Sequence, residues 1–218
     1  MSNESLYTRH KPSFSAKLAA AAPEGFDAFV NFNRQIFQET ALTVKVKELI
    51  AVAVAHITGC PYCIDGHVGK AKGQQASFEE IFEAIAVAAA VSAHSTFYNA
   101  VNALNAYEGG KGEELYARSN LDRLGELEEV NEELYTAFSA FQHTALKAGL
   151  VGEKEKYIIA VAAAHVTGNA YSIELFTSAA KQRGLTLEEL AETLLVAAAL
   201  KAGAAMAHRV NALEAFDR

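Results

Sequence analysis

The run Ala51-Val52-Ala53-Val54-Ala55-His56-Ile57-Thr58-Gly59 returns as Ala160-Val161-Ala162-Ala163-Ala164-His165-Val166-Thr167-Gly168, a shift of 109 positions (165 − 56). The register carries outward without a gap: Val101-Asn102-Ala103-Leu104 falls on Val210-Asn211-Ala212-Leu213, Glu79-Glu80 on Glu188-Glu189, and Val87-Ala88-Ala89-Ala90 on Val196-Ala197-Ala198-Ala199. Duplication of one module is the simplest cause. Ala and Leu dominate each copy, only three prolines occur, and Ser/Thr-then-Glu starts recur at Ser77-Phe78-Glu79-Glu80 and Thr186-Leu187-Glu188-Glu189. These are helix signals, and no strand alternation competes with them, so the expected fold is all-α, a duplicated helical module. Helices are expected near 26–38, 44–58, 61–73, 78–90 and 92–106, and again near 132–148, 153–167, 170–183, 187–199 and 201–215.

The organisation that follows is an N-terminal extension over 1–25, a first repeat over 26–106, a connector over 107–130 and a second repeat over 131–218. The connector carries Gly109-Gly110, Gly112 and many charges, as a junction between units should. A chain of 218 residues with 51% hydrophobic content buries a sizeable core, which excludes disorder. With a formal charge of −7 and no long basic cluster, it offers no footprint for nucleic acid or an anionic membrane. The apolar runs Leu49–Thr58, Ile81–Ala93 and Leu194–Ala207 are short, Ala-rich or broken by polar residues, and read as buried helices rather than membrane spans. The N-terminal run Ala16–Ala22 is interrupted at Lys17 and ends at Pro23, unlike a signal peptide, so a cytoplasmic location is expected.

Chemistry concentrates in Cys60-Pro61-Tyr62-Cys63-Ile64-Asp65-Gly66-His67. Gly59 ends one apolar helix and Pro61 suits the first position of the next, which puts Cys60 at or beside an N-cap. Cys60, Cys63 and His67 then share one helix face, with His67 one turn beyond Cys63. A helix N-terminus and a nearby His are the surroundings that lower a cysteine pKa, so the pair is expected to be reactive. Glu48 precedes the apolar run Leu49–Ala55 and should be partly buried. The Gly59-Cys60 turn folds its helix back beside the next, so Glu48 is expected to face His67 and complete a carboxylate–His–thiol relay.

The second copy is an internal control. Glu48, Cys60, Cys63 and His67 align with Tyr157, Asn169, Ser172 and Phe176, so all four groups are lost together while scaffold residues persist. The fold therefore does not need them. His56 and His165 persist in both copies and read as core histidines. His94 stands opposite Gly203, either lining a pocket or at a surface or interface. Tyr62 recurs as Tyr171, which argues for a packing role; nothing decides Asp65. A zinc site built from Cys60, Cys63, His67 and Glu48 is the rival to redox chemistry. Structural zinc usually takes its second ligand pair from a separate Cys or His motif, and none is present, so no metal or other cofactor is expected.

The spacing Glu48-x11-Cys60-x2-Cys63-x3-His67 in an Ala-rich helical module resembles the alkylhydroperoxidase D and carboxymuconolactone decarboxylase superfamily. Cys60-Pro61-Tyr62-Cys63-Ile64-Asp65 is similar to its peroxidase-like members. Alkylhydroperoxidase D itself carries a second His between the cysteines, where this chain has Tyr62. The resemblance implies an antioxidant enzyme of peroxiredoxin activity. It would reduce hydrogen peroxide or organic hydroperoxides through a cysteine disulfide that a dithiol or lipoyl-type reductant reopens. Cys63, one turn from His67, is the expected attacking thiolate, with Cys60 resolving its sulfenic acid; the reverse assignment stays open. The family's two-repeat chains imply a homotrimer of pseudo-hexameric shape. Two alternatives accompany this reading: a lactone decarboxylase on the same fold, and a non-catalytic metal-binding or redox-sensing oligomer.

Overall fold

A computed structural model describes residues 12–107 and 116–216, and Gly109, Gly110 and Gly112 of the connector lie outside that range. The helices are α1 Pro12–Ala21, α2 Pro23–Ile36, α3 Val44–Thr58, α4 Pro61–Gly73, α5 Phe78–Tyr98 and α6 Ala100–Tyr107, then α7 Leu124–Val130, α8 Glu132–Leu146, α9 Glu153–Thr167, α10 Ala170–Gln182, α11 Leu187–Ala207 and α12 Arg209–Phe216. A 3-10 turn, Arg118–Arg123, precedes α7, and no strand occurs among the described residues. The fold is all-α and duplicated: α3 to α6 recur as α9 to α12 with every bound displaced by the 109 residues that relate the two sequence copies.

The shared punctuation explains the shared bounds. Gly59 and Gly168 close α3 and α9 at φ +66° and +74°, a left-handed turn that glycine adopts without Cβ strain. Ser77 with Glu80, and Thr186 with Glu189, form complete capping boxes at the starts of α5 and α11.

The Ala- and Val-rich helices α3 and α9 form the centre. Ile50 to Ala55 and Ile159 to Ala164 are wholly buried, and the two helices lie against each other and against both α5 and α11. Around this centre the copies exchange elements. Helices α2 and α4 of the first copy rest on α11 of the second, while α8 and α10 of the second rest on α5 of the first. Two ion pairs repeat the exchange: Lys47 with Glu192 and Lys156 with Glu83, both at 3.0 Å. Each carboxylate also accepts two backbone N–H groups from the loop before the opposite central helix, Glu192 from Ala41 and Leu42, Glu83 from Leu150 and Val151.

Two expectations need correction. The break placed near residue 91 falls at Asn99 instead, because Val91, Ser92 and Ala93 continue an Ala-rich helix whose inner face is buried. The N-terminal extension holds α1, and the connector holds the 3-10 turn and α7. Finally, α5 and the stretch Leu187–Phe216 are long and apolar enough to cross a membrane by length and composition, because the helices run further than the apolar cores read from sequence. In this fold both lie against the central helices α3 and α9.

Candidate active site

Cys60 is the N-cap of α4, and Pro61 fills the first helical position, where a missing N–H costs nothing. The Cys60 sulfur accepts the backbone N–H of Cys63 at 3.3 Å and the thiol of Cys63 at 2.7 Å between sulfurs. Both cysteines are free thiols, Cys60 fully buried and Cys63 8% exposed, packed against Ala204 and Ala207 of α11. Burial first, then the bond and charge of Cys60, push the Cys63 thiol up to about 12, against a smaller opposing pull from Lys70. This reverses the expected acidification of Cys63. The helix-start N–H that was to stabilise its thiolate is given to Cys60, and Cys63 holds its proton as donor of the S–H···S bond.

Glu48, only 3% exposed on α3, accepts a hydrogen bond from Nδ1 of His67 at 2.7 Å. The Gly59 turn brings these two side chains, 19 positions apart, to adjacent turns of antiparallel neighbours. Phe37 stacks on the imidazole with 5.4 Å between ring centres and holds its plane. In a neutral ring whose Nδ1 donates to the carboxylate, Nε2 is the acceptor. His67 makes no hydrogen bond to either sulfur; it meets Cys63 across a cavity of about 250 Å³ that both line. The cavity opens between the copies. Phe29 and Asn33 of α2 form one side, α4 supplies Tyr62, Cys63, His67 and Lys70, and Gly203, Met206 and Arg209 close it from the second copy. Cys60 lies behind Cys63 and does not line it.

The four groups do not form a metal cage. Glu48 is turned to His67, and among the described residues no three His, Cys, Asp or Glu side chains are placed to hold an ion. His56 and His165 each bond the carbonyl four residues back in their own helix, Val52 and Val161, at 2.8 Å. Asp65 is exposed.

The corresponding place in the second copy is filled. Asn169 caps α10 as Cys60 caps α4, and Ser172 sits where Cys63 does, donating to Asn169 Oδ1 at 2.9 Å. His94 occupies the space that Gly203 leaves empty at the first site: it bonds Ser172 at 2.9 Å and stacks on Tyr98 with 3.7 Å between centres. Burial pushes His94 down to about 4, so it is neutral. His94, open on sequence to a pocket, surface or interface role, is buried against Ser172, Tyr98 and Phe176. Sequence reasoning missed Lys70, Gly203 and Arg209. The signal was available in the register that pairs them with Ala179, His94 and Ala100.

Comparison with known proteins agrees with this duplicated architecture. A protein of the cox locus of Paracoccus denitrificans is 44% identical over 96 residues, covering 43% of this chain and 86% of that protein. An uncharacterized protein of Cupriavidus necator is 36% identical over 70 residues, covering 32% of this chain and 62% of the relative. The crystal structure of a protein from Burkholderia xenovorans LB400, described provisionally as a gamma-carboxymuconolactone decarboxylase subunit, superposes with a TM-score of 0.68 over 98% of this chain and 94% of that one. At 19% identity that likeness speaks for the fold alone. The sequence profile of the carboxymuconolactone decarboxylase family matches residues 23–106 and again 132–215, one match on each copy, and the chain belongs to that family.

Proposed function

We propose that this protein is a thiol-dependent peroxidase that reduces hydrogen peroxide or small organic hydroperoxides by cycling Cys60 and Cys63 through a disulfide. The observation that carries the reading is the shared cavity: Cys63 and His67 face one space, with a second sulfur 2.7 Å behind the first. Cys63 attacks the terminal peroxide oxygen, the O–O bond breaks, and an alcohol or water leaves while Cys63 becomes a sulfenic acid. Burial and the bond to Cys60 hold the proton on Cys63, and that proton leaves as the S–O bond forms. His67 Nε2 takes it across the cavity, with Glu48 stabilising the imidazolium, and returns it to the leaving oxygen. Cys60 then displaces water from the sulfenic acid to close the disulfide, which an external dithiol reopens by exchange.

A lactone-type proton transfer would occupy Glu48 and His67 but leave both sulfurs idle. The cycle belongs in a reducing compartment, the cytoplasm, and in a homotrimeric assembly. Peroxide consumption with a dithiol donor tests the reading. Cys63→Ser is expected to lower the rate about a thousandfold. Cys60→Ser should still give one turnover, leaving a sulfenic acid that dimedone traps on Cys63. Wild-type peroxide rates in both variants would end the proposal.

A further inference from the structure

Two cations border the cavity, Lys70 on α4 and Arg209 at the start of α12, and neither gives or takes a proton in the sulfur cycle. No Asp or Glu lines the cavity with them, in a chain whose net charge is −7. Among the described residues neither cation has a carboxylate partner. Lys70 lies over the Phe37 ring at 5.4 Å, and Arg209 lies over Phe26 at 5.2 Å and donates from Nη1 to the carbonyl of Met206. By contrast Lys45, Lys47, Lys154 and Lys156 each hold a glutamate. The Nε of Arg209 is buried with no hydrogen-bond acceptor, a donor left unsatisfied at a free-energy cost. The second copy again serves as control. Ala179 and Ala100 stand where Lys70 and Arg209 do, so the cations are absent from the copy that lacks the sulfurs.

We infer that the cavity selects a small carboxylate-bearing molecule. Arg209, whose planar fork suits a carboxylate, receives the acid group with Lys70 beside it, and the reactive end meets Cys63. The volume of about 250 Å³ limits the occupant to a small organic acid. The inference rests on the peroxidase reading for what that reactive end is: a hydroperoxide, if the acid is the oxidant, or a thiol, if the acid is the dithiol reductant. The carboxylate is common to both.

The test compares alkylation of Cys63 by iodoacetate and by its neutral analogue iodoacetamide, followed by mass spectrometry at low ionic strength. This needs no turnover, so it stands apart from the peroxidase assay. The iodoacetate-to-iodoacetamide rate ratio should fall about fivefold in Arg209→Gln and about threefold in Lys70→Gln. Salt should lower it in wild type, and Arg209→Lys should restore it in part. A ratio unchanged in both glutamine variants overturns the inference. If the ratio falls but no hydroperoxide is consumed, the peroxidase reading fails and the anion preference stands. With turnover in hand, KM is compared for a hydroperoxy acid and its methyl ester, and for a dithiol acid and its amide. The pair whose acid loses its advantage in Arg209→Gln names the source, and no loss in either pair counts against the inference.

Discussion

Cys60 and Cys63 differ in burial and in hydrogen bonding in a way that helix register alone does not reveal. The register was readable: Gly59, Pro61 and the three-residue spacing put Cys60 at the cap and both sulfurs on one face. The direction of the S–H···S bond and the depth of burial were not readable, and these decide where the proton rests. Of the influences raising Cys63, burial is the largest, but two others come from Cys60 itself. Cys60→Ala removes both and should bring the Cys63 pKa down from about 12, seen as thiolate absorbance near 240 nm appearing at lower pH. A Cys63 that titrated unchanged in Cys60→Ala would mean that burial alone sets its acidity. Glu48 and His67 were more legible, because a turn that reverses the chain brings α3 and α4 side by side, and a carboxylate and an imidazole buried there meet in a hydrogen bond.

At the scale of the element, α5 and α11 are the same helix put to two uses. The far ends of α5 and α11 carry no cap signal, whereas the glycine ends of α3 and α9 and the capping-box starts of α5 and α11 are written in the sequence and could be read from it. The partner of each helix could not, because the exchange of α2 and α4 onto α11 depends on how two copies dock rather than on either copy's pattern. The difference between an open and a closed site then comes down to position 203. A Cβ on Gly203 would meet only the Phe29 ring, at 3.6 Å, an ordinary contact. Gly203→Ala should therefore fold normally. Gly203→His, which copies His94, should fill the cavity in front of Cys63 and slow its reaction with both peroxide and iodoacetamide by at least about tenfold, with little loss in the unfolding midpoint. Equal reactivity in Gly203→His and wild type would show that access to Cys63 does not run past α11.

The whole molecule is held as one unit by carboxylates that reach across the duplication. Lys47 is 2% exposed, and its ammonium meets Glu192 of the other copy together with the Gln38 carbonyl and the Thr40 hydroxyl. Burial opposes ionisation of Glu192, but Thr40, the N–H groups of Leu42 and Ala41, and Lys47 outweigh it and hold the carboxyl down to about 2. A carboxyl more acidic in the folded than in the unfolded chain stabilises the fold above its ordinary value of 4.5, and that contribution is lost as the pH falls towards 2. His94 adds a separate window. Held down to about 4 from an ordinary 6.5, it stabilises the fold fully above 6.5 and loses that contribution as the pH falls towards 4. Acid should thus weaken the protein in two successive stages, the first flattened in His94→Gln and the second in Glu192→Gln. At neutral pH, Glu192→Gln leaves a buried ammonium with only a carbonyl and a hydroxyl, and should cost about 3 kcal/mol in urea unfolding. Because the pair joins the copies, that loss should appear in one cooperative transition of the whole chain, and a variant in which only one half unfolded earlier would show that the copies are stable apart.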